Sequence, residues 1–143
     1  MKTLLIIVSA LLTSALSWLG SYDEAMQKAK AAHKPVLVSF SGSDWCVPCI
    51  NLRKEILESE VFERYASESL ILLRADFPRQ KKNKLSPDQV KMNEALAEKF
   101  NPDGKFPYTL LIDENGKVLK TWDGYPKVTP EDFVKQVAKA AAN

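Results

Sequence analysis

Cysteine and histidine are scarce in this chain, which has two cysteines and one histidine in 143 residues. A structural zinc site ordinarily needs four nitrogen or sulfur ligands, so the chain cannot build one alone, and neither a metal nor a cofactor is expected. Two cysteines are also too few to staple a small exported scaffold, so stability must come from packing. Charge of one sign is lacking as well. Twenty Lys and Arg stand against 18 Asp and Glu, and a net charge of +2 gives no reason to expect a nucleic acid partner. No linker divides the chain. The apolar run from Leu4 to Leu12, broken only by Ser9, is too short to span about 30 Å of hydrocarbon and is followed by Thr13 and Ser14 instead of a basic stop.

That run has another reading. Met1-Lys2 supplies a positive charge ahead of it and Ala15-Leu16-Ser17 a small-x-small site behind it, the three-part pattern of a secretory signal peptide. Residues 1–17 are therefore expected to be the signal peptide and residues 18–143 one domain, periplasmic or secreted. No cysteine follows the run closely, which argues against a lipid-modified terminus.

Both cysteines fall in Ser43-Asp44-Trp45-Cys46-Val47-Pro48-Cys49, at an expected strand-to-helix junction. A helix starting at or just before Cys46 puts that side chain among unsatisfied backbone N–H groups and the positive end of the helix dipole, where a thiolate is favoured. Cys46 is the expected nucleophile. Cys49 lies about one turn deeper on the same face, close enough to attack a mixed disulfide at Cys46, and is the expected resolving thiol. Pro48, in the first helical turn, stiffens the site without breaking the helix. A purely structural Cys46–Cys49 disulfide is the bland alternative, but a two-residue spacer closes almost no loop and hardly constrains the unfolded chain.

Trp45-Cys46-Val47-Pro48-Cys49 after the apolar strand Pro35 to Phe40, with Phe106-Pro107-Tyr108-Thr109-Leu110-Leu111-Ile112-Asp113 later, resembles the thioredoxin superfamily over roughly residues 22 to 140. Lys34-Pro35-Val36 leading to Asp44-Trp45-Cys46-Val47 is similar to the C-terminal periplasmic domain of the DsbD-type membrane reductant conduit and to small exported thioredoxin-like proteins. The resemblance implies an α/β fold, a three-layer sandwich with a central mixed β-sheet flanked by helices. It implies a Cys46–Cys49 redox disulfide supported by Trp45, Pro48 and Asp44, with Pro107 cis and packed against the dithiol. The backbone of Phe106 would then pair with an extended substrate peptide. Two departures stand out. Where many thioredoxins carry a buried carboxylate and a buried lysine, this chain aligns Ser39 and Leu72, so deprotonation of Cys49 must use water or another group, with Asp44 a candidate. Tyr108 stands where thioredoxins usually have threonine.

The remaining pattern is that of a core. Ser21 with Glu24 has capping-box spacing for a helix that ends before Pro35, and His33 at its exit is expected to be a solvated or capping residue. Leu52 and Ile56 continue the buried face of the cysteines, with Arg53, Lys54, Glu55 and Glu58 outward. Ser59 is expected to open a second short helix carrying Val61, Phe62 and Tyr65, before a strand from Leu70 to Leu73 that ends toward Asp76. Pro78 to Pro87, with Arg79, Lys81, Lys82 and Lys84, is expected to be a solvated loop, with a docking surface for an acidic partner as the alternative. The spacing of Val90, Met92, Leu96, Ala97 and Phe100 indicates a helix from Pro87 to Phe100 across the sheet, and Asn115-Gly116 should close a hairpin between Tyr108–Asp113 and Val118–Trp122. Thr129 and Pro130 should open a final helix.

These readings converge on an exported disulfide reductase or isomerase, expected as a monomer. It would act on cysteine-containing exported proteins and be recharged by a DsbD-type conduit. A dedicated reductase for the haem-attachment cysteines of apocytochromes and a non-catalytic peptide-binding module are the alternatives.

Overall fold

The computed structural model describes residues 16–143; the signal-peptide reading falls almost wholly on residues outside those described. Strand β2 (Val36–Ser41) is the axis of the fold, apolar at most positions and buried over its first five residues. It pairs in parallel with β3 (Ile71–Asp76) on one side and antiparallel with β4 (Tyr108–Ile112) on the other. The two-residue strand β1 (Trp18–Leu19), unforeseen in the sequence, adds in parallel to the outer edge of β3. Strand β5 (Val118–Asp123) closes the other edge as the return of the hairpin from β4, giving the order β1-β3-β2-β4-β5. Gly116 sits at φ 85° in the hairpin turn, where the favoured Asn-Gly pair was expected.

Helices cover both faces, as the expected three-layer α/β sandwich requires. On one face α1 (Tyr22–Ala32) and α4 (Pro87–Phe100) pack Ala25, Ala29 and Leu96 against Val36, Val38, Phe40, Leu73 and Ile112. On the other, α2 (Val47–Leu52), continued by a wider π turn over Arg53–Leu57, joins α3 (Glu60–Ser69) and α5 (Pro130–Ala141) over Leu37, Leu72, Leu111 and Trp122. Side-chain caps fix the helix starts: Ser21, Ser59, Ser86 and Thr129 each accept the amide three residues on. His33 ends α1 in the left-handed conformation, exposed and 3.1 Å from Glu114, in keeping with its expected capping role.

The α4 face differs from expectation. Val90 and Met92 are 38% and 40% exposed, whereas Asn93 is buried. The cause is a backbone requirement: α4 crosses the end of β3, where the Asp76 carbonyl needs a donor, and Asn93 Nδ2 supplies it at 2.8 Å while its Oδ1 accepts from Gln89.

Phe133 is fully buried in the α5 layer, its ring centroid 5.1 Å from that of Trp122 and 6.0 Å from that of Phe62. Phe133→Ala removes a ring whose space the rigid sheet cannot refill, so a loss of about 3–5 kcal/mol is expected in urea unfolding, with the slope unchanged.

Candidate active site

The parallel register determines where the site lies. Ser39 pairs with Arg74 and Ser41 with Asp76, so the C-terminal ends of β2 and β3 lie side by side at one end of the sheet. From there the chain turns through Gly42 into α2, with the Trp45 and Cys46 amides donating to the Gly42 carbonyl at 3.3 and 2.9 Å. Gly42 is required by close approach, since a Cβ there would lie 2.3 Å from the Trp45 ring. Cys46 caps α2 through its own sulfur, which accepts the Cys49 amide at 3.3 Å. Cys46 and Cys49 are joined as a disulfide with Cα atoms 5.2 Å apart. Both are buried in this form, at 5% and 3% exposure, while Val47 between them is 64% exposed. Pro48 is the second helical residue, inside the first turn as expected, and the Phe106-Pro107 bond is cis.

Two carboxylates clasp this turn from opposite sides. Asp76, at the end of β3, accepts the Ser43 amide at 2.9 Å, the Ser43 hydroxyl at 2.5 Å and the Phe77 amide at 3.0 Å. Asp44, in the turn, reaches the other way: its carboxylate accepts the Arg79 and Gln80 amides at 2.9 Å and the Asn83 side chain at 3.0 Å. Asp44 is therefore a latch for the loop after β3, a role that its spacing from the cysteines did not reveal. The loop expected to be solvated is tied to the active site. Arg79 lies with its guanidinium 3.7 Å from the centroid of the Trp45 ring, whose Nε1 donates to the Phe77 carbonyl at 2.7 Å. The Phe106 ring meets Trp45 and Phe77 edge-on at 5.5 and 5.4 Å, joining the proline segment to the same cluster.

Behind Cys49 is a polar cavity of about 200 Å³, lined by Ser39, Arg53, Arg74, Asp76 and Pro107 among others. Strand alternation puts Leu72, Arg74 and Asp76 on one face of β3, the first in the core and the next two in this cavity. Burial holds the Arg74 guanidinium below the usual arginine value while Asp76 pulls it up, and an arginine stays charged throughout. Arg53, expected to point outward, instead turns its Nε inward, where it is buried without a hydrogen-bond partner, 3.6 Å from Glu58. The wider π turn that begins at Arg53 is what departs from the regular helical spacing assumed for it. Sequence reasoning missed Arg74, Asp76 and Arg53 as site residues; the first two could have been found only from the β2/β3 register.

A family model described as a thioredoxin-like domain matches residues 22–141 of this chain. The chain belongs to the thioredoxin-like family. This thioredoxin-like protein is 38% identical over 104 residues to the disulfide bond reductase DsbH of Chlamydia pneumoniae, a match covering 73% of this chain and 60% of that relative's length. A solved structure of a DsbH oxidoreductase superposes with a TM-score of 0.81 at 30% identity, covering 99% of this chain and 95% of the other. The oxidised C-terminal domain of DsbD from Neisseria meningitidis shares the fold, with a TM-score of 0.56 at 18% identity over 82% of this chain and 90% of that one.

The Asp44 latch has a pH signature. The Arg79 amide and then the Asn83 side chain hold the Asp44 carboxyl below the usual aspartate value. A carboxyl depressed in the folded state contributes above its unfolded value, near ~3.9, and loses that contribution as pH falls through the folded value. Hydrogen exchange should find the Arg79 and Gln80 amides protected from neutral pH down to about 4, with release only below it. Asp44→Ala should remove that protection at every pH while β3 amides stay slow.

Proposed function

We propose that this protein is an exported thiol–disulfide oxidoreductase, with residues 1–17 as signal peptide and 18–143 as the thioredoxin-like domain, that reduces or isomerises disulfides in exported proteins. The observation that carries the reading is Cys46 at the start of α2, its sulfur serving as the cap acceptor for the Cys49 amide while bonded to the Cys49 sulfur. In the reduced protein the same amide and the helix N-terminus favour a Cys46 thiolate.

That thiolate attacks one sulfur of a substrate disulfide; a Cys46–substrate bond forms, the substrate S–S bond breaks, and the departing sulfur takes a proton from water. Cys49 then gives up its proton and attacks Cys46, releasing the second substrate sulfur as a thiolate. The substrate gains two electrons and the Cys46–Cys49 dithiol loses them. An external dithiol must restore the reduced state, and a DsbD-type conduit is the proposed donor. Ser39 and Leu72 offer no charge for the step at Cys49, but the cavity beside it supplies other help. Arg53 and Arg74 are cations that favour the Cys49 thiolate, and the space is large enough for water to carry the proton away. Asp76 is committed to three donors from Ser43 and Phe77, which makes it an anchor in preference to a base. Phe106 and Pro107 form the groove edge proposed to receive the substrate backbone.

Brief iodoacetamide treatment of the reduced protein near neutral pH should label Cys46 and spare Cys49, as read by peptide mass mapping; preferential labelling at Cys49 would reverse the two roles. The redox poise should be reducing or isomerising. No histidine lies between the cysteines, so the thiolate gains less than in a strong oxidase. Equilibration with glutathione buffers should give a potential of about −200 to −270 mV, and a value above about −160 mV would exclude a reductase.

A further inference from the structure

The loop between Phe77 and Ser86 carries Arg79, Lys81, Lys82 and Lys84 and no acidic residue, in a chain whose charges otherwise nearly cancel. All four cations are exposed, and among the described residues none has an ion-pair partner, in contrast to Lys28, Arg64 and Lys105. Two carboxylates border the loop: Asp44 is occupied by the Arg79 and Gln80 amides and the Asn83 side chain, and Asp76, which lines the hollow beneath the loop, by Ser43 and the Phe77 amide, so neither forms an ion pair with the four side chains. A charge run of this kind is ordinarily a solvated face. Three features make this one different. It is fixed in conformation by Asp44 and by the turn at Lys81–Asn83. It is seated on Trp45, the residue before Cys46, through the Arg79 guanidinium. It also rims an apolar hollow of about 250 Å³ floored by Phe77, Pro78, Leu85 and Val90, so that charge and apolar surface meet at one lip of the site.

Resting on the oxidoreductase reading, we infer that this loop selects substrates: it favours polypeptide disulfides with acidic residues within about four positions of the reacting cysteine, some 13 Å of extended chain. A substrate segment bonded to Cys46 and laid across Trp45 would bring such side chains over Lys81, Lys82 and Lys84. Held cations beside a reacting centre raise the encounter rate of an oppositely charged partner and disfavour a like-charged one. The attraction acts mainly on association and fades as salt shortens its range. In the reaction itself one peptide disulfide accepts two electrons from the Cys46–Cys49 dithiol, giving two peptide thiols and the protein disulfide.

The test uses the pre-reduced protein and two disulfide-linked peptides, identical except for Asp and Glu or Lys flanking the cysteines, with oxidation followed by intrinsic fluorescence. At an ionic strength near 10 mM the second-order rate constant should be at least about tenfold larger for the acidic peptide, and the ratio should approach one near 1 M, where the screening length is about 3 Å. The triple substitution Lys81→Glu, Lys82→Glu, Lys84→Glu should invert the preference, and the neutral set Lys81→Gln, Lys82→Gln, Lys84→Gln should reduce it without inversion. Equal rate constants for the two peptides, or a preference untouched by either set, overturns the inference and leaves the oxidoreductase reading standing. Failure of the parent to be oxidised by either peptide overturns that underlying reading instead.

Discussion

The active site depends on a reciprocal clasp between two carboxylates. Asp76 reaches from the end of β3 to the backbone and hydroxyl of Ser43, and Asp44 reaches from the turn after β2 to the backbone of Arg79 and Gln80. Beyond the strand ends the Phe77 amide still donates to the Ser41 carbonyl at 2.8 Å, but the amides of Ser43, Arg79 and Gln80 have these carboxylates as partners and without the clasp would have to find water. With it, the turn holding Trp45 and Cys46 is bounded by β3 on one side and by the basic loop on the other. Trp45 completes the enclosure: its indole lies over Gly42, donates to the Phe77 carbonyl and meets Phe106 from the proline segment. Three pieces of chain far apart in sequence are thereby held in one arrangement around the disulfide.

The charge behind Cys49 follows from the same strand geometry. At the positions where the thioredoxin resemblance implies a buried carboxylate and a lysine, Ser39 and Leu72 are uncharged and buried. The charge is displaced by one pleat repeat instead of being lost, because Arg74 follows Leu72 on the same face of β3 and stands opposite Ser39 in the register. Two arginines and an anchored aspartate now border the cavity. A cation lowers the cost of a buried thiolate directly, whereas a carboxylate must accept its proton. Different residues can therefore support the attack proposed for Cys49.

Much of this was legible in the chain, for identifiable reasons. The helix starts at Ser21, Ser59 and Thr129 are local signals that the fold obeys, and the nearly continuous apolar run of β2 and the Asn-Gly turn marked the centre and one hairpin of the sheet. The disulfide, Pro48 and cis Pro107 were legible from spacing and from the resemblance to thioredoxins. What escaped depends on register or on backbone demand. Asp76 and Arg74 acquire meaning only once β3 is known to lie beside β2 with Ser41 opposite Asp76. Asn93 is buried because a carbonyl at a strand end needs a donor, and no periodicity signals that. The basic loop read as solvent-exposed by composition, and its side chains are indeed exposed. Its backbone is held by an aspartate 35 residues earlier in the chain.

The position of the disulfide relative to the two apolar layers bears on how the protein could cycle. The sheet separates one layer under α1 and α4 from another under α2, α3 and α5, and Cys46 and Cys49 lie at the open end of β2, above Leu52 and outside both sets of large aromatic contacts. Because the bond closes only a three-residue separation, its loss restores little entropy to the unfolded chain. The packing of Phe62, Phe133 and Trp122 and the capped helices does not pass through it. Opening the bond therefore changes the chemistry of two sulfurs and the hydrogen bond at the start of α2, while the clasp, the cavity and both cores are held by other groups. On the proposed oxidoreductase reading, a bond that is broken and remade in each cycle sits on contacts that do not depend on it.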